Sequence, residues 1–268
     1  MYESVSYLVK EHRDNIHRII SIARYEILAE NRDSYLGFVW NILSPLIQIG
    51  TYWFVFGMGI RNGSPVNGVP FIQWMLVGII MWFFVSACLR KGTSAIHSKA
   101  SVISKIKFPT SILVTTVVFS ELFNHIIMVG LTFIILMLQG YRPSVENLQL
   151  LYYMFCAVSF CISFGLVFSV LNMMTRDVKK FVTSIMRMLF YVTPILWTME
   201  NLPGWIQFIM RCNPIYYLVE GYRVSLFASN GFSMSLTTTI IFWIINISLF
   251  LIGSILTYRN RYRFIDLM

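Results

Sequence analysis

The chain alternates long apolar runs with short basic segments. Residues 34–60, 62–89, 147–175 and 224–258 contain no Asp, Glu, Lys or Arg, and 108–139 is interrupted only by Glu121. Each run is long enough to cross a hydrocarbon core, which takes about 20 helical residues. Strands of a membrane barrel would alternate in polarity over about ten residues; these runs are continuously apolar, so the pattern predicts helices. It places spanning helices at about 38–60, 71–89, 110–138, 149–173, 182–199 and 236–258. Pro45 is expected in the first turns of the first of them, where its missing N–H does least harm.

Two segments break this rhythm. Residues 4–28 carry Val5, Leu8, Val9, Ile16, Ile19, Ile20, Ala23 and Ile27 at helical spacing, opposite Lys10, Arg13, Asp14, Arg18 and Arg24. No part of this segment is apolar enough to span, so it reads as one amphipathic helix in the membrane interface. Residues 200–223 hold two short apolar pieces, bracketed by Pro203-Gly204 and Asn213-Pro214, with Trp205 opening the first. Pieces of that length suggest re-entrant or interfacial segments on the outer side. The expected architecture is therefore an all-α membrane protein. An interface segment at 1–35 precedes a six-helix domain at 36–268, with short re-entrant outer helices between helices 5 and 6.

Charge sets the expected orientation. Of the 21 Lys and Arg, 17 lie in the amino-terminal segment, the 90–109 loop, residues 174–187 and the tail; only Arg61, Arg142, Arg211 and Arg223 lie opposite. The positive-inside rule then puts both termini in the cytoplasm. The first 33 residues are too charged for a cleavable signal peptide, so the mature chain is expected to begin at or near Met1. The four cysteines match no metal or redox spacing. Overall 57% of residues are hydrophobic and 12% charged, half the charged share of a typical soluble domain.

The chemistry expected of an engine is missing. There is no phosphate-binding loop, no metalloprotease or hydrolase motif and no carboxylate cluster for a metal. An ion-coupled transporter would keep ionisable groups at the midplane. Glu121 and His125, four apart in the third predicted span, are the candidates, as a proton site or as a hydrogen-bonded structural pair. A proton-coupled lipid flippase would rest on that pair alone. The remaining reading is a scaffold whose energy comes from a separate subunit. Within the 90–109 loop, residues 94–106 place Ile96, Ala100, Ile103 and Ile106 on one side of a short helix, a shape suited to a groove on such a subunit.

Several stretches together resemble the ABC-2-type export permeases: Arg24-Tyr25-Glu26, Tyr35 to Trp40, Pro45-Leu46, Val102 to Pro109, Thr175-Arg176-Asp177-Val178, Pro194 to Trp197, Asn213 to Tyr217 and Tyr222-Arg223. Within that family, Tyr52 to Gly57 and Phe71 to Leu76 are similar to the teichoic acid translocation permeases. The resemblance implies a homodimer of permeases with two copies of an ABC ATPase subunit, in the cell membrane of a bacterium. ATP and Mg would be bound by that subunit, with no cofactor, metal or catalytic residue in this chain and no nucleic-acid partner. It implies a coupling helix in 90–109, with Ile96, Lys99, Ile103 and Ile106, and a second contact near Arg176 and Asp177. Residues 202–223 would form outer gating helices, with Pro203, Gly204, Trp205, Asn213, Pro214 and Tyr217 at the gate. The cargo would be an undecaprenyl-diphosphate-linked teichoic acid, flipped outward through the lipid bilayer; the alternative is capsule or O-antigen polysaccharide. Arg24, Arg32, Lys105 and Lys107 are the candidates to draw in the diphosphate. Trp53 and Trp82, deeper than the interfacial tryptophans, are the candidates to line the path.

Overall fold

The computed structural model describes residues 1–30, 32, 35–60, 64–99, 109–200 and 202–261. The amphipathic segment forms two helices, α1 (Tyr2–Asp14) and α2 (Ile16–Glu30), where one was expected. The break is at Asn15, whose side-chain amide donates to the Glu11 carbonyl at 2.8 Å. Short polar side chains compete in this way for backbone partners and interrupt helices.

After a 3-10 turn at Gly37–Val39 comes α3 (Trp40–Tyr52), continued by a π-helical stretch at Trp53–Ile60. Pro45 lies inside α3 rather than in its first turn, so the Asn41 carbonyl lacks its helical donor. The outer loop turns tightly on Asn67 and Gly68, at φ 46 and 77; Val66 and Val69 pair their backbones across it. Asn-Gly favours this hairpin turn because both positions need positive φ.

The core is α4 (Phe71–Thr93). Around it pack α6 (Ile112–Leu138), α7 (Gln149–Met174), α8 (Asp177–Val192) and α10 (Pro214–Phe227), while α11 (Leu236–Asn260) lies along α7. Between α4 and α6 sits the single turn α5 (Ala95–Ser98), packed on α6 and α7. The contact of α11 with α7 is close: a Cβ on Gly253 would lie 2.7 Å from Leu166. In turn α2 lies on α6 and α1 on α11, with Tyr7 and Tyr258 edge to face at 5.5 Å. The start of the chain and the end of α11 are therefore neighbours.

Five helices among the described residues are long and apolar enough to cross a membrane: 37–59, 71–93, 112–138, 145–174 and 236–260. The sixth expected crossing, at 182–199, is instead α8, 16 residues ending at Val192. Its length is about 24 Å at 1.5 Å per residue, short of a roughly 30 Å core. Pro194 explains the early end, because the residue before proline is pushed out of helical geometry; Thr193 has ψ 138. Next comes the outer pair, α9 (Gly204–Arg211) and α10. Pro214 opens α10 at its first position, and the Asn213 side chain accepts from the Ile215 N–H at 2.9 Å, a standard cap. Unlike α9, which buries no residue, α10 is buried along most of its length. Its backbone thus sits within protein, where irregular structure at membrane depth is tolerated.

Candidate functional site

A seam of polar contacts ties the amino-terminal helices to the basic ends of the bundle. Lys91, in the last turn of α4, places its ammonium 2.7 Å from Glu30 of α2 and 2.6 Å from Glu121 of α6. Lys99, just beyond α5, pairs with Glu26 of α2 at 2.9 Å. On α1, Glu11 accepts from the Tyr7 hydroxyl at 2.7 Å and from Ser111. His12 Nε2 lies 2.7 Å from the Thr115 hydroxyl and Nδ1 2.8 Å from the Leu8 carbonyl. A carbonyl only accepts, so Nδ1 carries a proton and donates to it. Burial lowers the His12 pKa below its ordinary value, against smaller raising effects of the Leu8 bond and the Glu11 charge.

Beside this seam a cleft of about 430 Å³ opens between α3, α4 and α6. Its walls include Asn41, Gln48, Arg90, Lys91, Asn124 and His125. Asn41 donates to Asn124 at 3.2 Å across it. The cleft is half polar, and its floor sets Arg90 and Lys91 beside Glu30 and Glu121, with Lys91 paired to both carboxylates. Among the described residues Arg90 holds no ion pair, so it is the group there that can meet an anionic headgroup.

On the opposite side Arg223 of α10 is wholly buried. Its guanidinium donates to the carbonyls of Pro194 and Ile195, both at 2.8 Å, pairs with Glu220 at 3.2 Å and stacks over Trp74 at 3.5 Å. The bend after α8 is thereby fastened to α4 and α10. Counted with the outer loop charges, Arg223 is instead a core residue, and Gly78 leaves it room: a Cβ there would lie 2.5 Å from Nη2.

The family model for the ABC-2 type transporter matches residues 17–227, most of the described fold. This chain belongs to the ABC-2 type transporter family. Permeases of this family pair with an ABC ATPase subunit. Among curated proteins, the chain is similar to the "O-antigen export system permease protein RfbA" of Myxococcus xanthus, 26% identical over 76% of this chain and 78% of the relative. A protein of the same description from Klebsiella pneumoniae is 23% identical over 93% and 94%. The "Polysialic acid transport protein KpsM" of Escherichia coli is 21% identical over 75% and 78%.

The structure distributes the residues singled out by sequence across the permease. Arg24 and Arg32 are exposed, on α2 and just after it. Lys105, Lys107, Ile103 and Ile106 lie outside the described residues. Of the coupling face, Ile96 is 1% exposed and packs against Leu8, Leu113 and Val114; it anchors the segment inward rather than offering a contact to another subunit. Arg176 and Asp177 are exposed at the start of α8, where Asp177 suits the helix dipole and pairs with Lys180 at 3.2 Å. Trp53 keeps an open face, but Trp82 is buried against Phe190 at 5.4 Å, so it does not line a path in this chain. Pro203, Gly204 and Trp205 are exposed at the start of α9. Asn213 and Pro214 cap α10, and Tyr217 is buried, stacked on Phe242 at 4.4 Å.

Glu121 and His125 share the cleft but do not pair with each other. Glu121 goes to Lys91, and His125 bonds the Tyr222 hydroxyl at 2.7 Å under the stacked ring of Phe84. Sequence reasoning missed the Glu30–Lys91–Glu121 triad, because its members are far apart in the chain. Arg223 carried a usable signal: it stands inside an otherwise apolar run three residues after Glu220, and a charge at membrane depth demands a partner.

Proposed function

We propose that this permease forms the membrane path of an ATP-driven exporter of lipid-linked polysaccharide in the bacterial cell membrane. The observation that carries the reading is the half-polar cleft between α3, α4 and α6, with Arg90 unpaired among the described residues and the latched interface helix α2 at its border. The named relatives, described as O-antigen export and polysialic acid transport proteins over three quarters or more of the chain, favour polysaccharide over the teichoic acid implied by the sequence motifs. A proton-coupled flippase loses its basis, since Glu121 is committed to Lys91 and His125 to Tyr222.

In this reading a sugar chain on a lipid diphosphate enters at the cleft. Arg90 meets the phosphates there, with Arg24, Arg32, Lys105 and Lys107 as the outer basic field. Two permeases and two ATPase subunits make the working unit, and the ATPase holds ATP and Mg. The ATPase pushes on the 90–109 segment and meets the basic turn around Arg176. Because Lys91 and Lys99 tie that segment to Glu30 and Glu26, displacing it also displaces α2 and the mouth of the cleft. Both termini are cytoplasmic. The contact between α1 and the end of α11 supports an even number of crossings, with α8 and the stretch up to residue 199 completing the sixth. On the outer side, α9 and α10 form the gate.

The test is deletion of the gene in its host, with surface polymer and intracellular lipid-linked precursor measured together. Loss of a surface polysaccharide with accumulation of its precursor, restored by the native chain but not by a Lys91→Met variant, is the expected result. Unchanged surface polysaccharide would refute the assignment.

A further inference from the structure

A pocket of about 180 Å³ lies under α9, bounded by the outer hairpin, the start of α4, the bend after α8, and α10. Gln207 and Arg211, four apart on α9, both line it, so one polar face of this helix turns toward the pocket. Trp205, Phe208 and Ile209 lie on the other side of α9, 67%, 60% and 52% exposed. An apolar face outward and a polar face inward is the reverse of a helix packed on an apolar core. The polar groups inside are largely uncommitted. Glu220 gives one oxygen to Arg223 at 3.2 Å, and nothing holds its other oxygen among the described residues. The Tyr216 hydroxyl, the Glu200 carboxylate and the Arg211 guanidinium have no hydrogen bond or ion pair there either. Gln207 donates to the Leu202 carbonyl at 2.9 Å and keeps its own side-chain oxygen free. Trp197 and Tyr216, also in the wall, carry no ring partner among the described residues.

The chemistry of the walls selects among occupants. A metal ion is disfavoured: no group of three His, Cys, Asp or Glu stands together among the described residues, and two arginines share the same walls. An anion would meet Glu200 and Glu220. A lipid chain would leave the polar groups without partners, which is costly. An uncharged molecule rich in hydroxyls suits all of them. Two acids and two arginines leave the pocket without net charge. A hydroxyl both donates and accepts, so it can meet a carboxylate, an amide oxygen or a guanidinium. The C–H surface of a sugar ring packs on exposed aromatic rings such as Trp197 and Tyr216. The volume suits one such ring rather than a chain of them.

We propose that this outer pocket binds one neutral pyranose unit of the exported chain and thereby fastens α9 to the bundle. Because α9 buries no residue, the bundle's own hold on it is slight. A ring bonded to Gln207 or Arg211 on one side and to Tyr216 or Glu220 on the other joins the roof of the pocket to its floor. That the ring belongs to the cargo rests on the function proposed above; the binding of a neutral sugar does not.

The full chain in lipid nanodiscs tests the pocket without the polymer. It is titrated with the methyl pyranosides of several neutral hexoses and with a methyl glucuronide, and binding is read by saturation-transfer NMR and by amide hydrogen exchange. At least one neutral glycoside should bind saturably in the millimolar range, and the glucuronide more weakly. Binding should slow exchange in residues 204–211. Tyr216→Phe, which removes only a hydroxyl, and Gln207→Ala should each weaken binding about three- to tenfold, whereas Phe208→Ala, on the outward face of α9, should not. Absence of saturable binding, affinity indifferent to both Tyr216→Phe and Gln207→Ala, or unchanged exchange in α9 overturns the proposal. In the host, the sugar bound most tightly should occur in the polymer lost on gene deletion; a polymer without it overturns the assignment of the ring to the cargo. If deletion removes no polysaccharide, the functional reading fails, while the titration still decides whether the pocket holds a sugar.

Discussion

α3 and α4 are both apolar enough to span, with mean hydropathies of 1.3 and 2.0 over their best windows, yet 78% of that window is buried in α4 and 11% in the α3 span. Hydropathy reports what lipid accepts; burial reports what the rest of the chain demands. Wrapped by four helices and crowded by Arg223, α4 keeps open only its cleft-side edge and its basic last turn. In contrast α3, which contains a proline and continues as a π-helix, leaves its polar row open beside the cleft. Rigid scaffold and working surface are thus neighbouring helices of nearly the same composition.

The largest effect should come from the α4 side. Arg223→Ala would leave Glu220 and the carbonyls of Pro194 and Ile195 without their partner, at a cost of about 3–5 kcal/mol. Thermal unfolding in detergent should show a much lower melting temperature; an unchanged value would remove the latch. A matched pair of alanine substitutions comes next. Gly78→Ala should cost about 1–3 kcal/mol, because the added carbon meets a guanidinium pinned on several sides. In α3 a Cβ on Gly50 meets nothing within 4 Å, so Gly50→Ala should be neutral or stabilising by up to about 1 kcal/mol. Equal effects at the two positions would erase the contrast.

A smaller stability effect is expected from Gln48→Leu, within about 0.5 kcal/mol, but export should fall because the cleft loses a polar wall. Normal export would show that this row is not used. The smallest effect concerns the seam. The folded pKa of His12 is lowered, so its contribution is present above the unfolded value of about 6.5 and is lost as pH falls below it. Cleavage by trypsin at Lys10 and Arg13 should therefore accelerate between about pH 7.5 and 5.5. A His12→Gln variant, which cannot titrate, should show no such acceleration.

Much of the fold was legible. Continuous apolar runs announce helices because lipid leaves no other backbone solution, and five spans lie within a few residues of their expected limits. The basic segments and the capped outer pair were also readable, since Asn213-Pro214 acts locally. Boundaries decided by one residue were harder. Asn15 splits the interface helix through a bond to Glu11, and Pro194 ends α8 at Val192, short of the expected 199. The site was least legible: Glu30, Lys91 and Glu121 are adjacent only because α2 crosses α4 and α6, and no local pattern encodes that.

By itself the sequence determined the solvent, the all-helical class and the absence of a nucleotide-binding loop, because these follow from local composition and spacing. Which helix is the core, which charges are paired and which face stays open were decided by tertiary structure. Those properties depend on neighbours distant in the chain, and burial of a charge is settled by what stands opposite it.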